Sequence, residues 1–432
     1  MVKKPPISTP SLARKSLRLD NGLIAVQVDP ALGGRIMEYA LGGKNFLWVN
    51  PELACQPPPP GGLAPDGGWL NYGGDKLWPA PQGWDNARQW PGPPDAVLDG
   101  LPHALRKLSA TAFRLTSGKD PLSGVQFSRV VRIFPETTRV SFTATMKNID
   151  TKPRRWGIWA HTQLNAALPN GQPNRRMQAC CPLNPRSHFP QGYAVIFGAK
   201  DNPSFQREGN LMRVRYRCKV GKIGLDSPAG WVATMDGTTG HVFVQRFVYA
   251  PDKKYPDGSS VEFWLNGQGK IHAYNKEITM RPKPPENPYI FESEVLGPFA
   301  RLEPGESTTW QYDWYACTVS GRRVVDCTEA GVIVKPLRVS IHAGRVRLRG
   351  SFGVFAPGTL EARFFDAKGK PISVTTLDHS VSPLRPVLLD TILPHTRTTT
   401  SVALHVQDAA GTKELAPKTA FTRSGNPRIS DG

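Results

Sequence analysis

Trp156-Gly157-Ile158-Trp159-Ala160-His161-Thr162-Gln163-Leu164-Asn165 is the stretch on which the fold turns. In an extended strand, successive side chains point to opposite faces. Trp156, Ile158, Ala160 and Leu164 then share one face, an apolar set suited to a core. Trp159, His161, Gln163 and Asn165 share the other. That second face joins an aromatic platform and two amides to an imidazole, the side chain whose ordinary titration lies nearest neutral pH. The strand therefore belongs to a sheet with one buried face and one equipped for chemistry.

The same alternation extends outward. Just upstream, Val140, Phe142, Ala144 and Met146 alternate with Arg139, Ser141, Thr143, Thr145 and Lys147, a period of two with one wet face. Asp20-Asn21-Gly22 is a turn signal launching a strand at 23–28, and Gly42-Gly43 turns the chain again before 45–49. Further strands are predicted at 107–116, 124–134, 231–236, 241–250, 259–266, 289–296 and 308–317. In 289–296, Glu292 and Glu294 fall on one face and alternate with Phe291, Ser293 and Val295. The 41 Gly and 42 Pro place turns and irregular loops between strands, Pro lying above its usual share of about 5%. Long helical patterns are scarce, so the chain is read as all-β.

From 51 to 94 the texture changes. Pro57 to Pro60 form an unbroken proline run, and Trp69, Tyr72, Trp78, Trp84 and Trp90 follow. Such aromatic content argues against disorder, so the segment is predicted as an ordered loop folded over a cleft. Gly73 and Gly74 would let Asp75 and Lys76 project toward a ligand. The excursion 169–191 is rich in Pro, Asn and Arg and carries the vicinal Cys180-Cys181, for which the sequence offers no functional account.

The formal charge is +19, which raises polyanions as partners. The basic residues are scattered, however, and no nucleic-acid recognition motif accompanies them, so nucleic acid is not expected. No apolar run approaches a membrane span. None of the six cysteines sits in a paired C-x-x-C pattern, so neither a metal nor a cofactor is expected. Cys317 and Cys327 flank a turn and fit either a bridge or two buried thiols. The first ten residues are basic and proline-rich without an apolar h-region, so no signal peptide is visible; a processed N-terminus would look the same, and the compartment stays open.

Composition divides the chain. All 11 Trp lie at or before Trp314, and no Tyr or Cys follows Cys327. Beyond about residue 335 the chain becomes rich in Val, Leu, Thr and Arg, with strands predicted at 339–348, 358–366, 386–393 and 399–407. The organisation read from this is a flexible lead-in (1–16), a large β domain (17–330), a small immunoglobulin-like sandwich (335–423) and a loose tail (424–432).

Several segments together resemble a domain-of-unknown-function family within the galactose mutarotase-like (aldose 1-epimerase-like) superfamily. They are Gly34-Arg35-Ile36 with Gly43-Lys44-Asn45, then Tyr72-Gly73-Gly74-Asp75-Lys76-Leu77-Trp78-Pro79-Ala80-Pro81-Gln82, and Ile158-Trp159-Ala160-His161-Thr162-Gln163. Tyr255-Pro256-Asp257-Gly258 and Glu292-Ser293-Glu294 with Leu296-Gly297-Pro298 and Pro304-Gly305-Glu306 complete the set. The resemblance implies a β-supersandwich that binds a sugar or glycan, acidic ones included, in a cleft on one sheet. It sets His161 where the epimerase acid stands and Glu292 or Glu294 where the base stands. Lys76 and Gln163 would hold hydroxyl or carboxylate groups, and Trp78 or Trp159 would stack on the ring. Asp75, Trp84, Tyr255 and Arg35 complete the substrate-binding candidates. The Thr-Gln pair that follows the epimerase base is absent, and Asp75-Lys76-Leu77-Trp78 replaces its arginine-bearing segment. Three functions therefore compete: exchange of sugar anomers by His/Glu acid–base catalysis, glycan binding without turnover, and lyase or hydrolase action on an anionic polysaccharide.

Overall fold

A computed structural model of the chain describes residues 16–54, 56–84, 86–273, 276–282 and 287–423. The lead-in and tail predicted from the sequence, and Cys55, lie outside them. The described residues are almost wholly strand and loop, an all-β protein. Contacts divide them into two units. The first comprises residues 16–134, Val140–Thr234 and Gln245–Trp314, and the second Pro135–Arg139, Met235–Val244 and residues 315–423.

The first unit is built on two large sheets. One is 11-stranded, and the strands of its main path are labelled here in chain order: β1 (Leu17–Asp20), β2 (Ile24–Asp29), β3 (Arg35–Leu41), β4 (Asp75–Ala80), β5 (Arg154–Asn165), β6 (Ala194–Gly198), β7 (Gly221–Leu225), β8 (Val261–Leu265) and β9 (Ile290–Leu296). Their spatial order is β1-β2-β3-β4-β5-β9-β8-β7-β6. The strand quoted at the outset is thus central, between β4 and β9. The other is 10-stranded, and its strands within the first unit include Ala112–Thr116, Val125–Ile133 and Val140–Asn148.

The inner face of the first sheet packs on the second. Tyr39 meets Trp314 at 5.4 Å between rings, and the Trp156 indole donates to the Ser123 carbonyl at 2.9 Å. A buried polar chain lies in the same layer. Asp75 pairs with Arg129, Thr162 donates to Asp75 at 2.8 Å, Gln245 donates to Thr162 at 3.3 Å, and Ser293 donates to Gln245 at 2.8 Å. Mutual satisfaction is what makes such a polar layer tolerable between sheets.

Several boundaries differ from the sequence reading. The segment 51–94 is not loop throughout, because Asp75–Ala80 is strand β4. Pro79 obscured it, since proline cannot donate to a ladder. Here β4 meets β3 only at Ile36↔Asp75, so no β3 residue opposes Pro79. The run 107–116 is two strands, Ala104–Ser109 and Ala112–Thr116. The excursion 169–191 contains strand Met177–Pro182, with Cys180 and Cys181 buried in it.

In the second unit the strands beyond residue 330 form two sheets that share one core. Gly331–His342, Arg345–Val354 and Val387–Pro394 pair in one sheet, while Pro371–Val381, Gly358–Phe365, Ser401–Asp408 and Gly411–Ala420 form the other. This arrangement crosses repeatedly between sheets, as Greek-key sandwiches do. The predicted strand 339–348 is in fact a hairpin, turned by Ala343 (φ 49°) and Gly344 (φ 71°). Val339, Val346, Leu348, Phe352, Leu360, Phe364, Val402 and Leu404 fill the core. Cys317 and Cys327 are both buried and not joined by a disulfide.

Candidate functional site: a glutamate–histidine centre in an aromatic cleft

The outer face of the first sheet carries the site. Antiparallel register sets Lys76, His161, Glu294 and Glu262 in one row across β4, β5, β9 and β8. A neighbouring row runs Gln163, Glu292, Trp264, Lys222 and Phe197 across β5, β9, β8, β7 and β6. Trp78 lies beside Trp159 on β4 and β5. Directly opposed residues project to the same side of a sheet, so strands distant in sequence converge their polar groups.

These rows floor a cleft of about 530 Å³. His161, Glu292, Glu294, Gln163, Trp78, Trp84 and Trp159 line it, with Trp48, Trp69, Phe197, Lys222 and Trp264. His161 Nε2 lies 3.1 Å from Glu292 Oε2 and 3.6 Å from Glu294 Oε1. Gln163 Nε2 donates to the other oxygen of Glu292 at 2.7 Å, and Lys76 Nζ donates to Gln163 Oε1 at 3.2 Å. Lys222 Nζ lies 2.7 Å from Glu262 and 3.1 Å from Glu294, and 4.2 Å from the centre of a Trp159 ring. The imidazole packs 4.1 Å from the Trp78 ring.

Burial governs the protonation of this cluster, because low-dielectric surroundings disfavour whichever form is charged. Burial first, then Lys76, holds His161 well below its ordinary value. Burial likewise raises Glu292 and Glu294, with Lys222 and His161 pulling Glu294 back. Glu262 is pushed up to about 7 by burial. Lys76 falls to about 7 through burial and the nearby Arg35 guanidinium. Lys222 moves the opposite way: Glu262 and Glu294 overcome its burial and raise it. Burial thus weighs against charge on the imidazole and on the carboxyls, around one retained ammonium. His161, Glu292 and Glu294 also bring a donor atom each within 4.8 Å of one another, a spacing that could take a cation. Lys222 already supplies positive charge against Glu294.

Four of the substrate-binding candidates do not line this cleft. Asp75 faces the inter-sheet layer, because it neighbours Lys76 on one strand and therefore points the other way. Lys76 is only 1% exposed and sits beneath Trp69 and Trp78, acting on the cleft through Gln163. Arg35 is fully buried, 2.6 Å from Asp99 and donating to the Gly73 carbonyl at 2.9 Å. Asp99 in turn accepts from the Trp69 and Trp78 indoles, so Arg35 anchors the aromatic wall. Tyr255 stacks on Tyr249 at 5.2 Å and accepts the Ala250 N–H at 2.8 Å.

Sequence reasoning missed Lys222, Trp264 and Phe197. Glu262 and Trp264 alternate on β8 much as His161 and Gln163 do on β5, a signal that was present in the sequence. Lys222 sits in Gly-Lys-Ile-Gly-Leu, too short and glycine-rich to announce a strand.

Fold and site define a class: an all-β protein whose first unit carries a buried cluster of histidine and glutamates at the floor of an aromatic cleft. The sequence matches the family described as "Domain of unknown function (DUF4380)" over residues 14–317, and the chain belongs to that family. No curated protein matches it. Among solved structures, a galactose mutarotase-like protein from Lactobacillus casei ATCC 334 is similar at 10% identity, with 70% of this chain and 99% of that one covered and a TM-score of 0.45. A galactose mutarotase related enzyme from Lactobacillus acidophilus is similar at 10% identity, 69% and 96% coverage and a TM-score of 0.42. A galactose mutarotase-like protein from Clostridium acetobutylicum is similar at 12% identity, 71% and 96% coverage and a TM-score of 0.41.

Proposed function

We propose that the protein binds a neutral sugar in this cleft and interconverts its anomers by proton exchange between His161 and Glu292. The observation that carries the reading is the 3.1 Å contact between His161 Nε2 and Glu292 Oε2 on the cleft floor. Anomer exchange moves two protons at oxygens bonded to the same carbon, so it needs an acid and a base side by side. Cleavage of a glycosidic bond instead uses carboxyl groups about 5–9.5 Å apart.

The protonation preferences assign the roles. Neutral His161 takes the proton of the anomeric hydroxyl while protonated Glu292 gives its proton to the ring oxygen. The bond from the anomeric carbon to the ring oxygen breaks, and an open-chain carbonyl forms between imidazolium and carboxylate. After rotation about the adjacent carbon–carbon bond the same transfers run backward and close the ring on either face. This reverses the acid and base implied by the epimerase resemblance. Glu294, wholly buried and paired with Lys222, acts as the positioning carboxylate.

Lys222, the lining ammonium, is already faced by Glu262 and Glu294, and Glu52 lines the same cleft. That balance favours a neutral ligand over an acidic one. It also disfavours action on an anionic polysaccharide, for which Tyr255 lies outside the lining residues.

Magnetization-exchange NMR on glucose, galactose, mannose and xylose tests the reading. His161→Ala and Glu292→Gln are each expected to lose about 10²–10⁴-fold in exchange rate, the usual worth of a general acid or base. Undiminished exchange in either variant would overturn it. Sugar binding without any exchange would leave a glycan-binding protein.

A further inference from the structure

The cleft extends well beyond the glutamate–histidine centre. From Glu292 the row of opposed residues continues through Trp264 and Lys222 to Phe197. At the usual strand spacing this is about 14 Å of sheet, more than one pyranose length. Along it lies a second aromatic cluster: Trp84 is 6.2 Å from Phe197, and Phe197 is 6.0 Å from Trp264, edge-on. Trp78 and Trp159 beside His161 are buried, but these three rings are each only partly covered and keep surface toward the cleft.

An unanswered polar atom lines the same cleft. Asn266 is 5% exposed and lines the cleft. Its amide nitrogen donates to Asn287 Oδ1 and to the Pro288 carbonyl, both at 2.6 Å, which fixes its orientation. Its Oδ1 then has no hydrogen-bond partner. A buried acceptor in that state is costly unless a donor meets it, and a sugar hydroxyl is a suitable donor. Aromatic faces with an amide acceptor suit an uncharged pyranose: rings cover its C–H faces and the amide takes an edge hydroxyl.

We infer that the ligand is a neutral reducing oligosaccharide, with its reducing-end sugar at His161 and Glu292 and its following sugars on Trp264, Phe197 and Trp84. This rests on the acid–base reading for the position of the reducing end. The second cluster and Asn266 Oδ1 carry the chain-length requirement by themselves.

Isothermal titration with mono-, di- and trisaccharides of the gluco, galacto and manno series tests the inference. One series is expected to bind at least about tenfold more tightly as trisaccharide than as monosaccharide, a modest free-energy gain. In Phe197→Ala and Asn266→Ala that ratio is expected to fall toward one. The ratio compares ligands on one protein sample, so a partial loss of folded protein does not imitate the effect. Equal affinity for mono- and trisaccharides in the unaltered protein, or an unchanged ratio in both variants, would overturn the inference. Anomer exchange without length dependence would retain the acid–base reading and remove this one. Length-dependent binding without exchange would do the reverse.

Discussion

At the scale of single residues, function turns on which of two neighbouring carboxylates works with His161. Glu292 is closer to the imidazole, and its second oxygen is held by Gln163. Glu294 is tied to Lys222 and has no exposed surface. Burial disfavours the charged form of both members of the His161–Glu292 pair, and this fixes the sign of the pH response. His161 is depressed, so it stays a neutral base as pH falls through 6.5 and charges only well below. Glu292 is raised, so it keeps its proton above the ordinary carboxylate range and loses it as pH rises further. The pH profile of kcat/KM is therefore expected to stay level through 6.5 on its acid side and to fall on its alkaline side. An acid limb centred at 6.5 would mean an ordinary imidazole and contradict the assignment. His161 and both glutamates were legible because each lies on a strand with clean alternation. Lys76 and Asp75 were legible only as a pair; strand geometry then sent one under the aromatic wall and the other between the sheets.

At the scale of elements, β4 shows why part of the site was hidden. Its sequence, Asp-Lys-Leu-Trp-Pro-Ala, has no simple alternation because it is buried on both faces, and it contains a proline. Gly73 and Gly74, rather than freeing a loop, turn the chain onto the sheet. Gly73 has φ +84°, and a Cβ there would lie 2.2 Å from the Trp48 carbonyl oxygen. Its own carbonyl accepts from Arg35, and the Gly74 N–H donates to Trp48 O at 2.7 Å. Gly73→Ala therefore meets both a backbone clash and an unfavourable φ. It is expected to destabilise by more than about 1 kcal/mol, read as a lower midpoint in denaturant unfolding, and to weaken sugar binding by shifting Trp48 at the cleft wall. An unchanged midpoint would mean that the turn relaxes freely. The strands β6 and β7 went unread for a different reason. They are short and glycine-flanked, so the pairing of β6 with β7 and of β7 with β8 organises them more than local pattern does.

At the scale of the whole molecule, composition suggested a boundary near residues 330–335, whereas contacts end the first unit at Trp314 and make the second discontinuous. The sequence could not reveal that Pro135–Arg139 and Met235–Val244 belong with the later residues. They are short turns and strand ends between strands of the ten-stranded sheet, and only non-local partners identify them. Thr138, fully buried, donates its N–H to the Phe355 carbonyl at 2.8 Å, while Val319 donates to Gly240 at 2.9 Å and Thr318 to Pro383 at 2.8 Å. A chain ending at residue 330 loses Phe355 and Pro383, so the N–H groups of Thr138 and Thr318 lose their partners, and the Tyr315 ring loses Phe355, 4.7 Å away. The stranded donor of buried Thr138 alone costs about 1–3 kcal/mol. The shortened chain is therefore expected to melt at least about 2–4 °C below the full-length protein, the shift typical of 1 kcal/mol in a unit of 150–250 residues. Differential scanning calorimetry of both chains checks this. If the retained residues did not need these partners, the shortened chain would instead melt at the temperature of a transition already present in the full-length trace.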